Sequence, residues 1–423
     1  MRDQGAWDDL LFIGTEFLDL EQKILHGDIQ DFRQIPPAAF AWHAWDLVPE
    51  ERLFAILLPF LQQQLERASC AMPAIYASHL AGINPRDVDS LETWHKVPVL
   101  VKDDLPEYQL RGFRSEAALN PRSLCPADAG MASVSFGSGG SMGVHTPTFV
   151  SRQDREREIQ GWRRGHDYHG ITVGDRALYT YNTTHKGGQW MQESLWAHGV
   201  EVHLRRPEEG PKGVLENIRR YQINLLFTVQ QPYEGMRSQA KAAGINLHKL
   251  VQASLEQPEL EGLLLPDEAG CQQVKFVFLG GFPIVPHALS LAEEFLDCIP
   301  IATLLGSSEA IPQACSTNPR LTPQGTCHYN NLHLLQSPHY VEVVKPIDGG
   351  WAPVEKGEEG LLVYTSWARD GTIWIRYAPG DVATKLLDEG ECPCGIYSPV
   401  ISGVHRRDLS EQEALLLEGC AAG

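Results

Sequence analysis

Residues 134–143 read Val-Ser-Phe-Gly-Ser-Gly-Gly-Ser-Met-Gly, a run dominated by glycine and small hydroxyl residues. Glycine lets backbone N–H groups curl around an anion, and serine side chains add further hydrogen-bond donors. The segment lacks the Gly-Lys-Ser/Thr ending of a Walker loop, and a plain flexible turn is the alternative interpretation. It predicts a phosphate-binding loop with the candidate residues Ser135, Gly137, Ser138, Gly139 and Gly140.

Two more candidate segments each follow an apolar run that reads as a strand. In open α/β sheets, ligands bind beyond the carboxyl ends of the strands. The first is Gly280, Gly281, Phe282 and Pro283, for which a tight strand-to-helix turn is the alternative. The second is Gly306, Ser307, Ser308 and Glu309, where one carboxylate beside hydroxyl groups suits Mg²⁺ held together with substrate phosphates. Its alternative is a helix N-cap formed by one of the two serines.

Charged residues near the carboxyl end of the sequence complete the candidate nucleotide site. Asp381 follows a predicted strand, where its carboxylate could accept both hydroxyls of a ribose; a solvated turn is the commoner fate of Gly-Asp. Arg406 and Arg407 could clamp a nucleotide or form a hinge, and a charged surface turn is the alternative.

Cysteine and histidine residues in the last third of the sequence predict a metal site. Cys392 and Cys394 form a Cys-x-Cys knuckle, and Cys315 with His328 could close a tetrahedral Cys3His zinc site. Cys327 competes with His328 for the fourth position. Four protein ligands leave no open coordination position, so the predicted site is structural. Buried free thiols are the alternative.

The elements that must position these residues form an α/β pattern. Residues 1–110 read as helical, and Glu50–Ala68 carries one apolar stripe: Leu53, Phe54, Leu57, Phe60, Leu61 and Leu65. Strands alternate with helices from residue 176 onward, which predicts a mainly parallel sheet. The predicted strands are Ala177–Tyr181, Val200–Leu204, Ile223–Val229, Val274–Leu279 and Ile301–Leu304, and the helices between them are Gly213–Tyr221, Pro232–Ala243 and Pro286–Leu296. A later β-rich part contains Tyr340–Val344, Gly360–Ser366 and Thr372–Tyr377.

Composition narrows the class of protein. The 423 residues carry a formal net charge of −19, which disfavours nucleic-acid partners. The acidic start does not read as a secretory leader, and we find no apolar run of the roughly 20 residues that a bilayer span needs. Nine cysteines, an odd number, argue against a disulfide framework. These features predict a cytoplasmic protein without nucleic-acid or membrane partners.

The order and spacing of the five site segments resemble the adenylate-forming superfamily, specifically its phenylacetate–coenzyme A ligase branch. The resemblance runs from about Trp94 to Leu409 and includes Val97–Leu105, which resembles a stretch found only in this branch. The matching segments are Ser135–Gly140 for the phosphate loop, Leu279–Pro283 for the acid pocket, Gly306–Glu309 for adenine and magnesium, Arg376–Asp381 for the ribose, and Arg406–Asp408 for the hinge.

The resemblance implies the large N-terminal domain of an adenylate-forming enzyme, with α/β layers around a mainly parallel sheet and a smaller β-rich subdomain. It implies ATP-dependent formation of an acyl-adenylate from an aryl or arylacetic acid, then acyl transfer to coenzyme A or another thiol. Mg²⁺ and ATP/AMP would be the cofactors, and Ser308, Glu309 and Arg406 the catalytic residues. Many members of the branch carry a Cys…His…Cys-x-Cys set, which supports the structural Zn²⁺ site. The divisions it suggests are 1–110 (helical), 111–335 (α/β core), 336–405 (β-rich, with the zinc knuckle) and 406–423 (hinge and short tail).

Three departures keep a second hypothesis open. The phosphate loop has Ser141 where the family carries a lysine, and Phe282 stands where an acidic residue is common. His185 and Lys186 could replace that lysine, although a surface position is the simpler interpretation for them. Few residues follow Asp408, where the family has a small further domain. The alternative is therefore a non-catalytic or partner-dependent nucleotide-binding module, completed by a carrier protein or by a partner that supplies the domain. The sequence leaves homodimer formation open.

Overall fold

The computed structural model describes residues 7–101, 132–137, 147–181, 183, 186–204, 217, 221–229, 276–280, 301–348 and 350–406. Its α-helices are α1 Thr15–Leu25, α2 Glu50–Ala71, α3 Pro73–His79, α4 Leu91–Trp94, α5 Arg152–Tyr168 and α6 Lys186–Ala197. Short 3₁₀ turns lie at Asp9–Leu11, Phe32–Gln34, Pro37–Ala41, His43–Asp46 and Pro85–Asp87. No helix within these ranges has the length and apolar character needed to cross a membrane.

The strands belong to one large mixed sheet and one separate hairpin. In chain order they are β1 Leu100–Val101, β2 Ala132–Gly137, β3 Pro147–Ser151, β4 Arg176–Tyr179, β5 Glu201–Leu204, β6 Leu225–Val229, β7 Phe276–Gly280, β8 Ile301–Leu305, β9 Ala314–Cys315, β10 Leu332–Leu334, β11 Tyr340–Ile347, β12 Gly350–Pro353, β13 Glu359–Thr365, β14 Tyr377–Ala378, β15 Asp381–Leu387 and β16 Val400–Arg406. Strands β2 and β3 form the hairpin, with Gly137 opposite Pro147.

The mainly parallel sheet predicted from the sequence is confirmed. Strands β8, β7, β6, β4 and β5 lie side by side in that order, and each neighbouring pair is parallel. The sheet then continues from β8 through antiparallel β9, β10, β16, β15 and β13. The boundary predicted at residues 335 and 336 therefore falls within one continuous sheet. The three helices predicted between its strands lie largely or wholly outside the described residues.

The prediction of a strand over Thr372–Tyr377 is wrong for most of its length, since only Tyr377 belongs to β14. Side chains take the place of a neighbouring strand here. The sulfur of Met72 and the hydroxyl of Tyr76 accept hydrogen bonds from the backbone N–H groups of Ile373 and Ile375, at 3.4 and 3.1 Å. Arg376 has a positive φ of 40°, which ends any extended run.

The N-terminal helices cover the β-rich end of the sheet. Helix α2 begins at Glu50 as predicted, and all six residues of its apolar stripe are buried. They join a core in which Phe40 and Phe60 stack on Trp367, with ring centroids 5.4 and 5.7 Å apart. Burial of large aromatic side chains is a major source of folding free energy. The first part of the chain is therefore fixed to a part synthesised some 300 residues later.

Candidate functional site

The strand-end segments lie along one edge of the parallel sheet. Strands β7 and β8 are in register, with Leu279 opposite Thr303, so Gly280 and the segment after Leu305 emerge at the same edge. Gly281, Phe282 and Pro283 lie outside the described residues. Because ligands of open α/β sheets bind at this edge, the geometry is that expected for a binding site.

The segment Gly306–Glu309 forms a tight turn instead of a helix start. The Ser307 N–H donates to the carbonyl oxygen of Ala310 at 2.9 Å, and the Ser307 hydroxyl accepts from the Ala310 N–H at 3.2 Å. No helix follows in the described residues 306–313, so the N-cap alternative fails. Ser308 and Glu309 are buried. The turn thus holds a carboxylate-bearing residue inside the protein next to a strand end.

Tyr364 connects this turn to the β-rich part of the sheet. Burial and the negative charge of Glu309 raise the pKa of Tyr364 well above its usual value, so its hydroxyl stays protonated. Tyr364 lies opposite Tyr377, the first residue of β14. Asp381 begins the next strand and pairs with Arg406 in β16. Only 7% of the Asp381 surface is exposed, which argues against a solvated turn residue.

The other predicted nucleotide-site residues are described in part. Ser135 and Gly137 lie in β2, whereas Ser138, Gly139 and Gly140 fall in the undescribed connection between β2 and β3. Arg406 is the last residue of β16, and Arg407 lies beyond the described residues. The roles of these residues stay predictions.

A buried charge cluster, consisting of Glu158, Lys186, His339 and Arg369, lies beside the Glu309 turn. The Lys186 ammonium is 3.0 Å from the Glu158 carboxylate, and the Arg369 guanidinium contacts that carboxylate as well. Burial alone would raise the pKa of Glu158, but the charges of Lys186 and Arg369 lower it well below its usual value. Lys186 is fully buried, so the surface position predicted for it is wrong.

A second buried group, the thiol cluster, consists of Cys327, His333, Cys392 and Cys394. Their candidate ligand atoms all lie within 4.8 Å of one another. His333 Nδ1–H donates to the Ser398 carbonyl oxygen at 2.7 Å, which turns Nε2 toward the Cys394 sulfur at 3.2 Å. Three thiols and a histidine oriented by a backbone carbonyl match, in residue type, the donor set of a Cys3His metal site.

The thiol cluster corrects the predicted ligand set, because Cys327 and His333 stand where Cys315 and His328 were expected. Cys315 lies on β9, where its Cβ faces Gly165 of α5. His328 Nε2 lies 2.9 Å from the Thr322 carbonyl oxygen and is held there. His333 was missed because the sequence Leu-His-Leu reads as an ordinary buried strand, and only the pairing of β10 with its neighbours reveals the cluster.

The thiols of this cluster disturb one another's ionisation strongly. Hydrogen bonds with Cys327 and Cys394 lower the pKa of Cys392 well below its usual value, whereas hydrogen bonds with Cys327 and Cys392 raise the pKa of Cys394. Burial lowers the pKa of His333, but Cys327 and Cys392 raise it to a net value of about 9. A site of this kind concentrates negative charge that a cation would neutralise.

The thiol cluster also holds the beginning of the described chain. The Trp7 indole N–H donates to the Cys394 carbonyl oxygen at 2.8 Å. Trp7 packs on Tyr168 of α5, with ring centroids 6.0 Å apart. The knuckle thereby joins the first described residues to the sheet.

No protein-family model matches this chain, and no curated protein sequence matches it. Several solved structures do match it in fold. A 2-hydroxyisobutyryl-CoA ligase in an open conformation, in complex with 2-HIB-AMP and CoA, aligns over 89% of this chain and 81% of its own, with a TM-score of 0.67 and 19% identity. The same ligase in its postadenylation state gives a TM-score of 0.66 at 18% identity, over 89% and 73% of the two chains. An acyl acid amido synthetase in complex with 2,4-DB gives 0.56 at 15% identity, over 88% and 71%.

At these identities the comparisons show a shared fold: the chain is folded like the CoA ligase and the acyl acid amido synthetase. The expected architecture, an α/β core continued by a β-rich part, is confirmed. The phenylacetate–coenzyme A ligase branch itself stays a prediction.

Proposed function

We propose that this protein is an ATP-dependent, AMP-forming carboxylic-acid ligase. The observation that carries the proposal is the alignment of 89% of the chain with a ligase whose structure holds an acyl-adenylate and CoA. In the first half-reaction, a carboxylate oxygen of the acid attacks the α-phosphorus of ATP. An acyl-phosphate bond forms while the bond to pyrophosphate breaks, and pyrophosphate leaves. In the second, a thiolate sulfur attacks the acyl carbon and AMP leaves.

The residues of the chain would act mainly by positioning the acid and ATP and by stabilising the charge on the phosphates. Glu309, buried beside the end of β8, would hold Mg²⁺, which when bound neutralises phosphate charge. Ser308 would support it, and Asp381 would accept the ribose hydroxyls. Ser135, Gly137, Ser138, Gly139 and Gly140 would bind the phosphates, Gly306 and Ser307 the adenine, and Arg406 with Arg407 the nucleotide or hinge. Gly280, Gly281, Phe282 and Pro283 would border the acid.

An aryl or arylacetic acid is the substrate class we propose. Its support is the resemblance of the site segments to the phenylacetate–coenzyme A ligase branch. Phe227 of β6 and Phe278 of β7 stack on each other with centroids 5.0 Å apart, but both are core residues and do not by themselves define an acid pocket. The related ligase is named for a short branched acid instead, so both classes must be compared.

We further propose that Cys327, His333, Cys392 and Cys394 bind a structural zinc ion. The crowded, buried donor set described above supports this, since a Cys3His set is a common closed zinc site. CoA, a carrier-protein thiol or an enzyme cysteine are the candidate acyl acceptors.

The decisive test is ATP–pyrophosphate exchange by the purified protein with aryl, arylacetic and short branched acids. We expect exchange with one class. Glu309→Gln keeps the shape of the side chain but removes its charge, and should lower exchange by about 100-fold, the usual scale for a lost electrostatic contact to the reacting phosphates. Glu92→Gln, at an exposed carboxylate of α4 paired with Lys96, is the matched control and should be unchanged.

Unchanged exchange in Glu309→Gln would remove that residue from the site. Silence of the wild-type protein with every acid, despite ATP binding by calorimetry, would favour the partner-dependent or non-catalytic module.

A further inference from the structure

Segment Trp367–Thr372, which we call the clamp loop, meets three regions of the molecule between β13 and β14. The first region is helix α2, which is hydrogen-bonded to the backbone of the loop. Gln64 and Arg67 donate to the carbonyl oxygen of Arg369 at 2.7 and 2.8 Å. Both side chains are buried, so the backbone of the loop is fixed by groups that solvent cannot replace.

The clamp loop is also bonded to the base of the β2–β3 hairpin. The Thr372 N–H donates to the Phe149 carbonyl oxygen at 2.9 Å, and the Thr372 hydroxyl accepts from the Phe149 N–H at 2.8 Å. The N–H groups of Asp370 and Gly371 donate to the Asp154 carboxylate at 2.7 and 2.8 Å. Asp154 forms the capping box of α5 with the Ser151 side chain. The loop thus contacts the hairpin whose connection is the predicted phosphate loop.

The third contact is made by the side chain of Arg369. Its guanidinium donates from Nη1 to the carbonyl oxygen of Glu309 and from Nη2 to the carboxylate of Glu158. Arg369 is 1% exposed, so both contacts are shielded from water. Glu158 is itself fixed by the Lys186 ammonium at 3.0 Å, and His339 Nε2 lies 3.5 Å from the same carboxylate.

We propose that Arg369 is a positioning residue that fixes the Glu309 turn relative to α5 and the β2–β3 hairpin. The proposal rests on the proposed function, because its purpose would be to place the Glu309 carboxylate against phosphates bound at the hairpin. A guanidinium is a rigid planar fork, so one side chain holds a carbonyl and a carboxylate at a fixed separation. A lysine ammonium in the same place is a point charge, so it can contact the carbonyl oxygen or the carboxylate but does not hold the two at a fixed separation.

The test compares Arg369→Lys with Arg164→Lys. Arg164, which lies on α5, is as fully buried as Arg369 and makes the same kind of bridge, from the Asp46 carboxylate at 2.7 Å to the Ser337 carbonyl oxygen at 2.9 Å. It has no described hydrogen bond or ion pair with the Glu309 turn. Two readouts are taken besides thermal unfolding: hydrogen exchange of a peptide spanning residues 304–313, and the Mg²⁺ dependence of ATP–pyrophosphate exchange.

We expect both variants to lower the unfolding temperature by similar amounts. Arg369→Lys alone should speed hydrogen exchange in the 304–313 peptide. It should also lower the rate of ATP–pyrophosphate exchange by about 100-fold, the scale reported for a displacement near 1 Å, and raise the Mg²⁺ concentration for half-maximal rate. Equal hydrogen exchange and equal Mg²⁺ dependence in the two variants would overturn the proposal. If the wild-type protein catalyses no exchange, the proposed function fails, and the hydrogen-exchange comparison still decides whether Arg369 fixes the turn.

Discussion

Two buried polar clusters in this protein differ in how the cost of burying charged groups is offset. Transfer of charged groups from water into a protein interior is costly unless partners compensate. In the charge cluster, the Glu158 carboxylate meets the cations of Lys186 and Arg369, so the chain supplies both signs. The thiol cluster brings Cys327, Cys392 and Cys394 together with one histidine and contains no lysine or arginine among its four members.

The contrast separates a cluster whose negative charge is balanced by its own side chains from one whose thiols have no lysine or arginine among them. Complementary side chains can satisfy each other as the chain folds, and the result is a rigid support for a neighbouring site. Three thiols beside an imidazole disturb one another's pKa values until a metal takes up their lone pairs. The first and the last of the next three predictions test this distinction, and the second tests the packing of the clamp loop that carries Arg369.

The largest effect is expected from removal of a thiol ligand. Cys394→Ser should abolish stoichiometric zinc and lower the free energy of unfolding by on the order of 5 kcal/mol, a fraction of the 10–16 kcal/mol with which small peptides bind structural zinc. Elemental analysis and urea unfolding measure the two quantities, and a strong chelator should reproduce the loss in the wild-type protein.

The controls for this prediction are the residues that the sequence alone favoured. Cys315→Ala and His328→Gln should each retain one zinc per chain, because neither belongs to the thiol cluster. Zinc lost from these variants and kept in Cys394→Ser would reverse the ligand assignment. Zinc-free wild-type protein would remove the site.

A smaller effect is expected from crowding the clamp loop. A Cβ added at Gly371 would overlap the Phe149 carbonyl oxygen and approach the Asp154 carboxylate. Gly371→Ala should therefore lower the free energy of unfolding by about 1–3 kcal/mol, as overpacking of a close contact does, measured by urea titration. Gly350→Ala is the matched control, because its added Cβ would meet the His95 carbonyl oxygen at 3.6 Å, an ordinary contact, and no other described residue outside its chain neighbours within 4 Å. An equal loss in both variants would mean that the clamp loop is not tightly packed on β3.

The smallest effect concerns protonation of the charge cluster. Burial, aided by the charge of Arg369, lowers the pKa of His339 to about 4. The unfolded chain, with an ordinary histidine pKa near 6.5, binds a proton first as the pH falls. This contribution to stability is therefore present above pH 6.5 and is lost progressively toward pH 4.

Between pH 7 and pH 5 the loss from His339 should be about 1–2 kcal/mol, at about 1.4 kcal/mol for each pKa unit. His339→Gln should flatten the pH dependence of urea unfolding by that amount. His26→Gln, at an exposed histidine, should leave it unchanged. A wild-type slope that survives in His339→Gln would assign the effect to other buried histidines.

Structural features that depend on residues close together in the sequence were predictable from it. The apolar stripe of α2 repeats at helical spacing, and the parallel strands stand out as apolar runs between turns. The order of the site segments was enough to predict the fold. Glu309 follows the end of β8, as the sequence predicted. Asp381 was predicted to follow a strand, and it comes after β14, but the sequence did not predict that it begins β15.

Features set by contacts between distant residues were not predictable. The choice of Cys327 over its neighbour His328 depends on which of the two adjacent side chains turns toward Cys392 and Cys394. Lys186 reads as a surface lysine because its partner Glu158 lies on another helix. The Thr372–Tyr377 run has strand composition, but Met72 and Tyr76 of the N-terminal region take its hydrogen bonds. Periodicity within a segment carries no information about such partners.

The bonds between the N-terminal helices and the clamp loop have a consequence for biosynthesis. Gln64 and its partner Arg369 are 305 residues apart. At a synthesis rate of about 5–20 residues per second, α2 therefore leaves the ribosome roughly 15–60 s before the residues that cover its apolar stripe. During that interval the stripe can pack on the other N-terminal helices but lacks the part of its core that Trp367 and the β-rich strands supply. Production of this protein in a cell should thus depend on chaperones that shield nascent helices, and should suffer more from fast synthesis at high temperature than its final stability would suggest.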